Sequence, residues 1–209
     1  MSLLDLLFPP RCGGCGAYGA AWCAACAGTL RPPAVSTLAG IPLLAAGRFD
    51  GRLQQAIHSY KYRPRPQLAS VLAPPLARAI ATAGVSLSTL TFVPLHPRRQ
   101  RERGFNQAQR LAAQLAGALG IPLVSGLTRV RATPAQVGLS QAERRANLAG
   151  AFQWTASQPP GARLGLVDDV CTTGATLTAA AAAVAESGGS IGAFLVLAVA
   201  QTLPAVAVT

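Results

Sequence analysis

The segment LGLVDDVCTTGATL, from Leu164 to Leu177, constrains this chain more than any other stretch. The run Leu164 to Val167 is apolar without alternation, as a strand buried on both faces requires. Two adjacent acids follow, Asp168 and Asp169. Then come the small residues Thr172, Thr173, Gly174, Ala175 and Thr176, and an alanine-rich helix. A strand, a polar turn and a helix start in that order belong to α/β folds, which bind ligands at the carboxyl ends of their strands. Carboxylates accept hydrogen bonds from ribose hydroxyls and attract a hydrated divalent metal. Threonine hydroxyls, backbone N–H groups and a helix N-terminus suit a phosphate. The combination suggests a ribose 5-phosphate.

Two other acidic strand ends can be tested against the same residues. A P-loop NTPase needs GxxxxGK[ST], but the single lysine, Lys61, follows Ser59-Tyr60. A phosphorylated receiver domain needs a lysine downstream of its acids, and there is none. Cys171 reads as a spacer inside the segment, a reactive thiol being the alternative.

The rest of the chain supplies the remaining layers. Gly47 to Tyr62 reads as a short helix, with Leu53, Ala56, Ile57 and Tyr60 at helical spacing. Arg63-Pro64-Arg65-Pro66 breaks it. Leu68 to Ala83 reads as a second helix, interrupted near Pro74-Pro75. Leu90 to Leu95 reads as a strand, followed by the basic loop His96 to Phe105. An amphipathic helix begins near Asn106 and ends at Gly120. Ile121 to Val124 and Phe152 to Trp154 are short strand candidates. Residues 126–150 are polar and irregular until the capping-box sequence Ser140-Gln141-Ala142-Glu143. A helix from about Thr176 to Glu186 and a buried strand from Ile191 complete an alternation that predicts a mostly parallel sheet covered on both faces.

Hydrophobic residues make up 51% of the 209, which excludes general disorder. The net charge of +11 is almost all arginine and favours polyanionic partners. The N-terminal MSLLDLLFPP has no basic region and is broken by Asp5, so it does not read as a signal peptide. Ile191 to Ala200 is too short to span a bilayer as a helix. A cytoplasmic protein without membrane insertion is expected.

Within the basic loop, Arg98, Arg99, Arg101 and Arg103 fall within six residues. Guanidinium forks suit phosphate, and a phosphate-tracking groove for single-stranded nucleic acid, with Phe105 as a stacking ring, is a second reading. His96 could assist anion binding, and His58 reads as helix surface. Lys61 could contact pyrophosphate or simply end its helix. Four of the five cysteines form Cys12-x2-Cys15 and Cys23-x2-Cys26. Two such knuckles can bring four thiolates to one structural Zn2+; disulfides are the rival, although nothing suggests export. Trp22 is expected to pack within this module, and Phe152 and Trp154 in the core.

The strand, acids and Thr-Thr-Gly-x-Thr loop resemble the phosphoribosyl pyrophosphate (PRPP) motif of type I phosphoribosyltransferases. The longer string VPLHPRRQRERGFNQAQRLA, from Val93 to Ala112, looks like the ComF family, phosphoribosyltransferase-like proteins tied to DNA uptake in natural competence. Lys61-Tyr62 and a polar stretch from Thr133 to Phe152, with Gln136, Leu139, Arg144, Arg145 and Asn147, resemble that family too. The resemblance implies a zinc module over residues 1–31 and a phosphoribosyltransferase-like α/β domain over 32–209. It implies PRPP bound with Mg2+. Asp168 and Asp169 would take the ribose, Thr172 to Thr176 the 5-phosphate, and Lys61, Arg98, Arg99 and Arg103 the pyrophosphate. Parts of residues 34–70 and 126–150 would build a specificity hood. Two activities stand: a pentosyl transferase of open acceptor, or a catalytically inactive protein handling single-stranded DNA beside the competence machinery.

Overall fold

A computed structural model of the chain describes residues 9–32, 37–62, 65–131, 147–157 and 161–200. Its elements run α1 (Ala24–Ala27), β1 (Thr37–Leu38), β2 (Ile41–Arg48), α2 (Gly51–Tyr62) and α3 (Leu68–Ala83). They continue with β3 (Thr89–Phe92), α4 (Pro97–Arg103), α5 (Gln107–Leu119), β4 (Leu127–Arg129) and β5 (Phe152–Trp154). β6 (Leu164–Cys171), α6 (Ala175–Glu186) and β7 (Ile191–Val199) follow. Five strands form one sheet in the order β1-β2-β7-β6-β3. β2, β7, β6 and β3 are parallel, and β1 adds an antiparallel edge. β4 and β5 pair separately.

Side chains alternate across this sheet into two cores. Leu195, Leu197 and Val167 face α2, α3 and α5, meeting Ile57, Leu72 and Leu111. Leu164, Leu166, Phe194 and Val196 face the other way, toward Ala180 and Val184 of α6 and Phe152 of β5. Helices therefore cover both faces, and the expected mostly parallel α/β class is what forms. The central strand β7 is apolar on both sides, so it shows no polar alternation.

Several local expectations need correction. The segment before α2 is not helical: Ile41–Arg48 is a core strand, and Gly47 pairs with Ala198 of β7. A side chain at 47 would press on Leu53 and on the Arg31 carbonyl, which explains the glycine. β2 sends Leu43 and Ala45 to one core and Leu44 and Ala46 to the other. It belongs to the central sheet.

Pro74-Pro75 does not interrupt α3, which is continuous. Pro74 lies outward and Ser70 is exposed, so the carbonyl freed by the missing proline N–H meets water. Leu68, Leu72, Leu76 and Ile80 hold the inner face in the core. The strand expected over Leu90 to Leu95, β3, ends at Phe92, and Leu127–Arg129 forms a strand inside the stretch expected to be irregular. Ile121 to Val124 contributes one parallel bridge, Leu123 to Leu90. The capping-box helix at Ser140, and Gln136, Leu139, Arg144 and Arg145, lie outside the described residues.

Candidate functional site

β6 does not end at its acids. It continues through Asp168 and Asp169 to Cys171, staying paired with β7 up to Val199. Its other neighbour, β3, stops at Phe92, opposite Val167. Both acids therefore sit where β6 has lost one flanking strand, and the cavity opens there. The Asp169 N–H turns to Asp168 Oδ1 at 2.8 Å. Lys61, the penultimate residue of α2, places its Nζ 2.8 Å from Asp169 Oδ1.

The cavity has a volume of about 260 Å³. Lys61, Asp168 and Asp169 line one side, with Thr172 and Thr176 at the start of α6. Gly174 caps that helix in the left-handed region at φ 78°, and a Cβ there would meet Leu38 of β1 at 2.5 Å. The edge strand thus packs directly on the threonine loop. Thr173 and the Gly174 backbone shape the turn, and the methyl of Ala175 is buried in the core. Trp22 packs against the helical core, Phe152 is fully enclosed, and Trp154 covers Gly126.

The same cavity is lined by basic residues. The stretch expected as a loop is helix α4, with His96 as N-cap, Pro97 in its first turn and Gly104 as a left-handed C-cap. His96 Nδ1 accepts from the Arg98 N–H at 3.3 Å. Helical spacing sorts the arginines by face. Arg99 and Arg103, four apart, line the cavity. Arg98 instead pairs with Glu102 at 3.0 Å in solvent, and Arg101 is exposed. Phe105 is half-buried against Tyr60, with ring centroids 5.7 Å apart, so it is not an open stacking ring.

Two cavity residues carried no functional weight in the sequence reading. Arg129 reaches the cavity from β4, with its guanidinium 5.5 Å from the Phe152 ring. Burial, then the charge of Arg99, pulls it below the usual guanidinium range, while Asp168 opposes the shift. Gln107 is 1% exposed; its Oε1 accepts from Arg103 at 3.1 Å and its Nε2 has no hydrogen-bond partner. Asn106 caps α5 and donates to the Val93 carbonyl, fixing the chain between the two helices. The signal for Gln107 was its position one residue after a strong N-cap, beside the arginine helix. Arg129 had none, because β4 itself was not foreseen.

The electrostatics follow from this geometry. Burial, and then the neighbouring Asp169 charge, raises Asp168 to about 7, against the N–H of Asp169 and the cations Lys61 and Arg129. Burial and the Asp168 charge push the Cys171 thiol up to about 12, so it is not a thiolate at neutral pH. An acid pair facing cationic arginines beside a helix N-terminus can take a ligand that is polyhydroxylic at one part and anionic at its ends.

The four N-terminal cysteines form a second site. Their sulfurs all lie within 4.8 Å of one another, with Cys12–Cys26 and Cys15–Cys23 both at 3.7 Å. A tetrahedron with metal–sulfur bonds of about 2.3 Å has edges of about 3.8 Å. The spacing thus fits one tetrahedral metal, and no disulfide links them. Burial raises the Cys12 thiol, but N–H groups of Cys23, Cys15 and Gly14 outweigh it and pull it down to about 6. Gly14 leaves room for the Trp22 ring and the Cys26 sulfur, and Arg52 of α2 donates to its carbonyl at 3.4 Å.

Fold and sites together define an α/β protein with a four-cysteine metal-type module and an acidic, arginine-faced cavity at the carboxyl end of its sheet. No protein-family model matches the chain. It is 33% identical over 187 residues to the DNA utilization protein YhgH of Salmonella typhimurium, covering 87% of this chain and 79% of the relative. It is 48% identical over 88 residues to competence protein F of Haemophilus influenzae, covering 41% of this chain and 38% of the relative. Among solved structures, glutamine PRPP amidotransferase from B. subtilis is similar, with a TM-score of 0.45 and 22% identity. That match takes in 67% of this chain and 30% of the amidotransferase. The chain belongs to the ComF/YhgH family. Among the described residues no helix is long and apolar enough to cross a membrane.

Proposed function

We propose that the cavity binds a pyrophosphorylated ribose phosphate of the PRPP type, and that the protein uses it while handling DNA in the cytoplasm during uptake. The observation that carries this reading is that Asp168, Asp169, Arg99, Arg103, Thr172 and Thr176 all line one cavity. The carboxylates accept from the ribose 2- and 3-hydroxyls. Thr172, Thr173, Thr176 and the backbone of Gly174 and Ala175 hold the 5-phosphate at the α6 N-terminus. Arg99, Arg103 and Arg129 take the pyrophosphate, and Lys61 moves between Asp169 and that group. Arg98 pairs with Glu102 in solvent and does not line the cavity.

Asp168 and Asp169 would also hold a hydrated Mg2+, which would supply charge neutralisation to the pyrophosphate. With an acceptor nucleophile at the anomeric carbon, the C–O bond to pyrophosphate breaks and pyrophosphate leaves with its electrons. The chain's own contribution is positioning and charge stabilisation. Residues 1–31 act as a zinc-stapled module and 32–209 as the ligand-binding domain. The DNA role rests on the relatives named for DNA utilization and competence.

Calorimetric titration of PRPP with Mg2+ tests the reading. Wild-type protein is expected to bind, and Asp168→Asn/Asp169→Asn to lose binding. Equal affinity in the double variant sinks the ribose assignment.

A further inference from the structure

A larger groove, of about 710 Å³, lies between the cysteine module and the outer side of α2. Its walls carry Arg11 and Arg65, the rings of His58 and Tyr62, and Gln55, over a floor at Gly13. No described residue lining it is acidic. Tyr62 is 72% exposed, although the chain buries most of its large side chains. His58 stands edge-on to it at 6.3 Å, and Arg65 donates to the Arg11 carbonyl at 3.0 Å. On the module side Arg11 lies 4.2 Å from the ring of Tyr18, itself 62% exposed. On the other side Tyr62 lies 5.3 Å from the guanidinium of Arg103, which lines the acidic cavity.

We infer that this groove is a track for single-stranded DNA, ending at Tyr62 beside the acidic cavity. Exposed rings alternating with guanidiniums suit a strand whose bases stack while its phosphates are neutralised. Solvent-exposed tyrosines bring a cost that stacking removes. A duplex offers no free base faces to them, and an apolar protein partner would find charged walls. The inference rests on the DNA-handling half of the proposed function and not on PRPP binding. Because Tyr62 touches Arg103, a strand lying in the groove presents its last nucleotide to the mouth of the cavity.

Fluorescence anisotropy with a labelled oligo-dT tests the track. Tyr62→Ala is expected to weaken binding by about 5- to 100-fold, and Tyr62→Phe to restore it. Arg11→Ala and Arg65→Ala should each reduce the log–log salt slope by about 0.7. Arg78→Ala, exposed on α3 away from the groove, should do neither beyond its loss of bulk charge. A bromouracil-substituted strand should crosslink to Tyr62 or His58 in the wild-type protein. Unchanged affinity in Tyr62→Ala, or displacement of the strand by poly-glutamate of equal charge, overturns the groove. Absence of oligo-dT binding by wild-type protein overturns the DNA-handling reading with it, whereas PRPP binding would stand.

Discussion

Lys61 Nζ rests 2.8 Å from Asp169 Oδ1, and this ion pair ties the end of α2 to the acidic bend of β6. Both side chains are largely enclosed, so neither charge is easily hydrated alone. Lys61→Met is expected to destabilise the fold by about 1–3 kcal/mol, somewhat below a fully buried pair. For a chain of this size that lowers the melting temperature by about 2–4 °C per kcal/mol, measurable by circular dichroism. A melting temperature equal to wild type would show the pair to be inert.

The raised Asp168 gives a pH signature. Its folded value, about 7, exceeds the ordinary carboxylate value of 3.8. The folded state therefore holds more protons than the unfolded state between those limits. The contribution of Asp168 to stability is full below about pH 4 and is lost as pH rises through 7. Wild type should lose stability relative to Asp168→Asn across that window, by up to about 4 kcal/mol for the full shift. Parallel urea midpoints from pH 4 to 8 check it, and a difference that stays flat contradicts it.

Gly174→Ala meets two obstacles, a positive φ and the Leu38 side chain. The expected cost is about 2–4 kcal/mol. Adding Leu38→Ala should recover the steric part and leave the backbone part. A double-mutant cycle separates them, and strict additivity of the two changes would refute the contact.

Gln107→Leu removes a buried Nε2 that has no partner and keeps the side chain's bulk. Stability should hold within about 1 kcal/mol or rise. Pyrophosphate affinity should fall by about 5- to 10-fold, the loss of one hydrogen bond and of the hold on Arg103. Calorimetry that finds unchanged affinity removes Gln107 from the site.

Purified, reduced protein should carry one zinc per chain by elemental analysis. Chelation should abolish hydrogen-exchange protection across Cys12 to Gly28 while amides of β6 and β7 stay protected. Full protection of the module without metal would mean that the cysteines need no ion.

What could be read beforehand tracks how local the signal was. Asn106 and Gly120 bracket α5 where expected, because caps act within one turn. The apolar run before Asp168 announced β6. β2 was missed since Ile-Pro-Leu-Leu-Ala-Ala-Gly-Arg holds two alanines, a proline and a glycine and faces apolar cores on both sides. Its strand state is imposed by β7. α4 was hidden by its charge run, although Pro97 and Gly104 were helix-boundary signals. Asp168, Asp169, Thr172 and Thr176 stand together in one short stretch of sequence and line the same cavity. Their partners Arg129 and Gln107 were not legible there, because their contribution depends on which elements meet across the cavity.

The short β3 leaves one further mark on β6. Beyond Phe92 there is no neighbouring strand to receive the Asp169 N–H, and Asp168 Oδ1 takes it instead. The same carboxylate lines the cavity, so a main-chain donor already holds Oδ1 and fixes the plane in which Oδ2 is presented. The orientation of that carboxylate in the cavity is thus set by the main chain rather than by another side chain. Asp168→Asn keeps a carbonyl oxygen for that N–H but turns the other, cavity-facing acceptor into a donor, so it preserves the backbone contact while removing the acceptor.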